Sequence, residues 1–160
     1  MPINYQQLVE ELNVLADAAA SVEDLMSVIV GRLQERLPHF DWVGFYMIEK
    51  GQLGEDPILV LGPYVGAETP HKRIPLNQGI CGAAVSSGRT VVVDDVNADP
   101  RYLACSIETR SEIVAPVFMK GDAVGELDID SHTPAAFTGE DRRLVEHCAA
   151  LVGNYLEKTS

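Results

Sequence analysis

Two apolar runs, Ile113 to Met119 and Ala123 to Ile129, flank Lys120-Gly121-Asp122, and no other stretch constrains this chain as tightly. Apolar, β-branched runs separated by a short polar segment with a glycine read as an antiparallel hairpin. With a three-residue loop, Met119 faces Ala123, Glu112 faces Asp130 and Val114 faces Asp128. Directly opposed residues project to the same side of a sheet. One side therefore carries Ile113, Ala115, Val117, Met119, Ala123, Gly125, Leu127 and Ile129. The other gathers Glu112, Asp128 and Asp130 at one end. A slip of one residue would mix apolar and acidic groups on both sides, so the pattern itself selects this register. Three crowded carboxylates repel one another, and at least one pKa should rise. Such a trio binds an ammonium group and supplies a proton, or is simply the solvated outer face of the sheet.

The remaining elements arrange themselves around this hairpin. Leu8, Leu12, Leu15 and Ala19 recur at helical spacing. Ser21 offers an N-cap to a second apolar stripe through Leu25, Met26, Ile29, Val30 and Leu33, which Pro38 ends. Trp42 to Ile48 and Ile58 to Leu61 read as strands, with a polar loop from Gly66 to Lys72. Gly79 to Ser87 reads as a short helix closed by Gly88, followed by a strand at Thr90 to Val93 and an irregular stretch from Asp94 to Arg110. Thr138 caps a last helix with Leu144, Val145, Cys148, Leu151, Val152 and Tyr155 along one stripe. Hairpins in place of regular β-α-β alternation predict an α+β fold, with an antiparallel sheet and helices mainly to one side.

At 160 residues the chain has room for one domain. Twelve basic against 24 acidic side chains leave a net charge of −12, which repels phosphate backbones and anionic lipid. Neither a nucleic-acid nor a membrane partner is expected, and a ligand carrying a cation is. No apolar run approaches the ~20 residues that span a bilayer, and the N-terminus shows no signal-peptide pattern. Three scattered cysteines do not make a disulfide scaffold, so a cytoplasmic location is expected.

Cys105 lies in the irregular stretch near Arg101 and Arg110, whose charges favour a thiolate; it is either a reactive thiol or a small residue pinning a loop. Cys81 starts the short helix, where the dipole also favours a thiolate, and is otherwise a packing residue. Cys148 belongs to the core stripe. Trp42 and Tyr46, four apart on a strand, share a face and either pack in the core or wall an apolar ligand group. No histidine-cysteine spacing indicates zinc or another metal, and no glycine-rich phosphate loop is present.

Trp42-Val43-Gly44-Phe45-Tyr46, Arg73-Ile74-Pro75, Gly79-Ile80-Cys81-Gly82, Ala104-Cys105, Ser111-Glu112-Ile113-Val114 and Leu127-Asp128-Ile129-Asp130-Ser131, in this order, resemble the free methionine-R-sulfoxide reductases. These are stand-alone GAF-domain enzymes, and the similarity runs from about Tyr5 to Leu156. The resemblance implies a GAF fold over residues 1–160, with Cys105 as the attacking thiol. Cys81 matches the cysteine of the family's Gly-Val-Cys-Gly motif. Trp42, Tyr46, Glu112, Asp128 and Asp130 match the substrate-binding residues. It further implies free methionine sulfoxide as substrate, a thioredoxin-like reductant and no bound cofactor. A homodimer through the terminal helices is compatible with it. Two features depart from the family: His71 stands where members commonly carry a third cysteine, and the stretch Gly54 to Pro57 is longer than usual. A non-catalytic GAF module binding a small ligand, and a thiol redox sensor using Cys81 and Cys105, are the competing readings.

Overall fold

The computed structural model describes residues 3–51, 53–102 and 108–160. Helices α1 (Tyr5–Ala18) and α2 (Val22–Arg36) lead into strands β1 (Trp42–Glu49), β2 (Ile58–Val65) and β3 (Arg73–Pro75). Helix α3 (Gly79–Ser87), β4 (Val91–Val93), β5 (Ser111–Met119), β6 (Asp122–Ser131) and α4 (Gly139–Thr159) complete the order. The strands form one sheet, β3-β2-β1-β6-β5-β4, antiparallel at every pairing. The predicted caps are in place. Ser21 accepts from the Asp24 amide, and Gly88 ends α3 in the left-handed conformation that glycine adopts without penalty.

Each face of the sheet carries its own core. On one, Val43, Phe45, Ile113, Ala115, Val117, Leu127 and Ile129 pack against Leu8, Leu12, Ile29, Leu33, Leu144, Val145 and Val152 from α1, α2 and α4. On the other, Trp42, Tyr46, Leu59, Ile74, Val93 and Val114 pack against Ile80, Cys81, Ala84 and Val85 of α3. The three long helices thus cover one face, as the pattern predicts, and only the short α3 covers the other.

Three details differ from the sequence reading. From Ser111 to Val117 the hairpin register is the predicted one, but a bulge then pairs Phe118 with Ala123 and Met119 with Asp122. The loop is therefore the two residues Lys120 and Gly121, with φ of 53° and 85°, a turn whose twist suits a hairpin. The extra residue is Val124, which packs against the long-helix core, while Ala123 moves to the α3 side. Strand β2 runs on through Gly62-Pro63 to Val65, beyond the Ile58 to Leu61 expected from the sequence. Proline is tolerated there because the β1–β2 register shifts between Gly44 and Tyr46, so no ladder bond is lost. The three-residue β3 was not legible at all, being too short to show a period.

One buried polar group ties the long helices together. Asp141, fully buried, accepts from the Thr138 amide at 3.0 Å in the capping box of α4. It also accepts from Tyr5 Oη at 2.7 Å and lies 2.9 Å from His39 Nε2. Removing its carboxylate would leave three polar partners from separate segments without an acceptor. Asp141→Ala should cost about 3 kcal/mol in chemical denaturation, beyond the ~1 kcal/mol of a simple cap. A loss no larger than a cap's would show that the Tyr5 and His39 contacts contribute nothing.

Candidate active site

The strand register lays out the α3-facing side in rows. Val93, Glu112, Asp130 and Trp42 form one row across β4, β5, β6 and β1. Val114, Asp128 and Gly44 form the next, followed by Pro116, Glu126 and Tyr46. The predicted trio is therefore together on one face, with Trp42 and Tyr46 beside it. It is not solvated, because α3 lies over it: Glu112, Asp128 and Asp130 are 5, 3 and 4% exposed. Trp42 stacks on Tyr46 and Tyr64 at ring separations of 6.2 and 5.6 Å. A Cβ at Gly44 would run into the Trp42 ring, so that ring can lie across this row only over a glycine. Trp42 Nε1 donates to the Ala67 carbonyl at 3.0 Å and Tyr46 Oη to the His71 carbonyl at 2.7 Å, tying both aromatics to the 66–72 loop.

A fourth carboxyl was missed. Glu126 is completely buried on the same face, and both its oxygens lack a hydrogen-bond partner, as do Asp128 Oδ1 and Asp130 Oδ1. The signal was present in the sequence: Glu126 is two residues before Asp128 and shares its strand parity. It was hidden because its partner on β5 is Pro116, in a run that reads as apolar throughout.

The electrostatics follow from burial without a counter-charge. No ion pair among the described residues involves these four groups, and none of their pKa shifts has a basic neighbour as a cause. Burial raises all four. Asp128 adds to the rise of Glu112, Glu126 and Asp130, while hydrogen bonds from Glu112 and Cys81 partly restrain Asp128 itself. At Glu112 burial acts first, and the negative charges of Asp128 and Asp130 raise it further. Crowded, buried carboxyls favour their protonated forms, so the group tends to retain protons that isolated carboxylates would lose.

Cys81, in the first turn of α3, donates from Sγ to Asp128 Oδ2 at 3.4 Å. Burial pushes its thiol pKa well up, and Asp128, Glu126 and Glu112 push it further. The expectation of a dipole-favoured thiolate at Cys81 is thus reversed: the acidic neighbours and burial outweigh one short helix terminus. Cys148 is fully buried in the other core, as expected. Cys105 falls among residues 103–107, outside the described residues. Their flanks are described: Tyr102 packs on the α3-side cluster, and Glu108 and Thr109 line a cavity of ≈80 Å³ with Trp42 and Asp130. A smaller cavity of ≈20 Å³ adjoins Tyr46, His71, Ile80, Cys81, Glu112 and Asp128. The larger surface hollows, of ≈710 and ≈550 Å³, are lined by none of the four carboxyls, Cys81, Trp42 or Tyr46.

The GAF domain family profile matches residues 21–156. The free methionine-R-sulfoxide reductase of Escherichia coli is 34% identical over 97% of this chain and 90% of its own length. That of Neisseria meningitidis, solved in complex with its substrate, is 34% identical with a TM-score of 0.86, covering 96% of this chain and 88% of that one. The type II enzyme of Thermoplasma acidophilum is 39% identical with a TM-score of 0.79, over 86% and 93%. This chain belongs to the free methionine-R-sulfoxide reductase family. Six of the seven candidate site residues expected from the sequence, namely Trp42, Tyr46, Cys81, Glu112, Asp128 and Asp130, come together at this face and the helix over it. Among the described residues, no helix is long and apolar enough to cross a membrane.

The raised carboxyls carry a consequence for stability. Between the unfolded carboxyl pKa near 4 and the elevated native values, the native protein holds protons that the unfolded chain has lost. Raising pH across that window therefore removes stability. The ligand-free protein should be more stable at pH 5 than at pH 8, and Glu126→Gln should flatten that fall. Denaturation midpoints at the two pH values check this. Equal slopes in both proteins would mean Glu126 ionises as freely as in the unfolded chain.

Proposed function

We propose that this chain, acting as one GAF domain, reduces the R-sulfoxide of free methionine, with Cys105 as the attacking thiol. The observation that carries the reading is the buried carboxyl group, without a basic ion-pair partner among the described residues and flanked by stacked aromatics, in a chain similar along its length to reductases of that name. A net negative, dehydrated pocket favours a ligand bearing an ammonium group. A free amino acid has one; a methionine within a peptide does not.

In this reading Asp128 and Asp130 hold the ammonium, and Trp42 and Tyr46 enclose the S-methyl end, so that chirality at sulfur becomes a matter of fit. The Cys105 thiolate attacks the sulfoxide sulfur while the proton held by Glu112 and its aspartates passes to the sulfoxide oxygen. The oxygen ends on Cys105 as sulfenic acid, and methionine leaves. On one flank of the 103–107 segment Tyr102 packs on the α3-side cluster, on the other Glu108 and Thr109 border Trp42 and Asp130, and in sequence Cys105 is three residues from Tyr102 and from Glu108. The Cys81 sulfur then attacks the sulfenic sulfur, its proton going to Asp128, which already accepts from it, and water departs as the disulfide forms. A thioredoxin-type dithiol reduces that disulfide. Thiols supply both electrons, so the balance requires no bound cofactor. With His71 in place of a third cysteine, Cys81 alone is left among the described residues at this site to resolve the sulfenic acid.

Thioredoxin-coupled turnover of free R-methionine sulfoxide, compared with the S form and with a sulfoxide-containing peptide, tests the proposal. Turnover should be confined to the free R form and abolished in Cys105→Ser. Cys81→Ser should release one equivalent of methionine per chain and then stop, with a trappable sulfenic acid at Cys105. Binding of methionine sulfoxide without turnover would instead favour the non-catalytic module, and a reversible Cys81–Cys105 disulfide without stereospecific turnover would favour the redox sensor. Asp128→Asn removes a charge-assisted contact worth about 1.5–3 kcal/mol and should raise KM roughly 10- to 100-fold. An unchanged KM would remove Asp128 from substrate binding.

A further inference from the structure

The cavity of ≈20 Å³ holds a set of groups whose chemistry extends beyond sulfoxide reduction. Cys81 Sγ, one carboxylate oxygen of Glu112 and one of Asp128 all lie within 4.8 Å of one another, and all three residues are buried. Cys81 Sγ and Asp128 Oδ2 are 3.4 Å apart. Ligands at ~2.0–2.3 Å from a tetrahedral ion are themselves about 3.3–3.8 Å apart, so a small contraction would seat one. Asp128 Oδ1 has no partner, although the residue is 3% exposed and lines this cavity. The space is about that of one water molecule or one cation.

We infer that the reduced protein binds one thiophilic divalent cation, zinc by its chemistry, through Cys81, Glu112 and Asp128. A thiolate with two carboxylates suits zinc, whereas calcium and magnesium require a larger shell of oxygen ligands. Spacing in the sequence does not announce the site, since the ligands come from α3, β5 and β6 and no pair falls at a zinc-motif interval. Binding exchanges protons for the metal: the Cys81 S–H bond breaks, a sulfur–zinc bond forms, and the proton leaves to solvent with that held between the carboxyls. Nothing is oxidised or reduced. Zinc so placed takes Asp128, one of the two carboxylates assigned above to the substrate's ammonium, and engages the resolving thiol, giving a reversibly inhibited enzyme. The competition rests on the proposed function; the metal site does not.

Cobalt(II) is the probe for the site itself. Metal-free, fully reduced protein titrated with cobalt should develop a thiolate-to-cobalt absorption band at one equivalent, which zinc then bleaches. The band should persist in Cys105→Ser and Cys148→Ser and disappear in Cys81→Ser, with zinc affinity falling at least about ten-fold in Glu112→Gln. Zinc should also slow alkylation of Cys81 in the unaltered protein, read by peptide mass spectrometry, a measurement that does not depend on any variant folding. No band, a band retained in Cys81→Ser, or unprotected Cys81 overturns the inference. Cobalt binding in a protein that turns over no methionine sulfoxide would leave the metal site standing and remove the enzyme reading. Turnover with no cobalt band would do the opposite.

Discussion

Four carboxyl groups are held out of water on one sheet face with no cationic side chain paired to them among the described residues, and the surrounding structure is arranged around that constraint. Burying an ionised carboxylate without a partner costs several kcal/mol, so the group retains protons and takes up any fitting cation. Each neighbour contributes to this state. Helix α3 excludes solvent and brings a thiol rather than a base; Trp42 and Tyr46 supply apolar walls; Gly44 makes room for the indole. The same desolvation that makes the site costly makes it selective, because an ammonium group gains most where nothing else neutralises the acids. Proteins commonly offset such a cost elsewhere.

Here the offset lies on the opposite face. Strand parity sends Ile113, Ala115, Val117, Leu127 and Ile129 into a core closed by three long helices, while their immediate neighbours Glu112, Asp128 and Asp130 face α3. One hairpin thus supplies both the stabilising and the destabilising half of the molecule. The Asp141 knot fixes the helical layer where α1, α4 and the segment after α2 meet. A sheet braced in this way can hold an acidic cluster whose members repel one another, since neither strand can slip without carrying its apolar residues into the wrong layer.

Much of this was legible because it depends on local period and local chemistry. The caps at Ser21 and Thr138, the Gly88 stop, the four longest strands and the co-facial Trp42 and Tyr46 all follow from residues close together in the chain. What escaped had other physical causes. Strand β3 is too short to show a period. The hairpin bulge depends on a turn geometry that the three candidate loop residues do not distinguish. Glu126 hid opposite Pro116, and the reversed shift at Cys81 reflects acids far away in sequence.

The sequence by itself determined which residues can share a face, because the two-residue repeat of a strand and the need to bury apolar side chains together leave one register for the hairpin. It also carried the ordered set of motifs that places the chain in its family. Only the tertiary structure decided that the acidic face is dry. That outcome depends on α3 folding across β5 and β6, a long-range contact that no local pattern encodes. Dehydration is what separates a solvated row of carboxylates from a proton-holding, cation-seeking site, since the cost of charge depends on the water removed from around it.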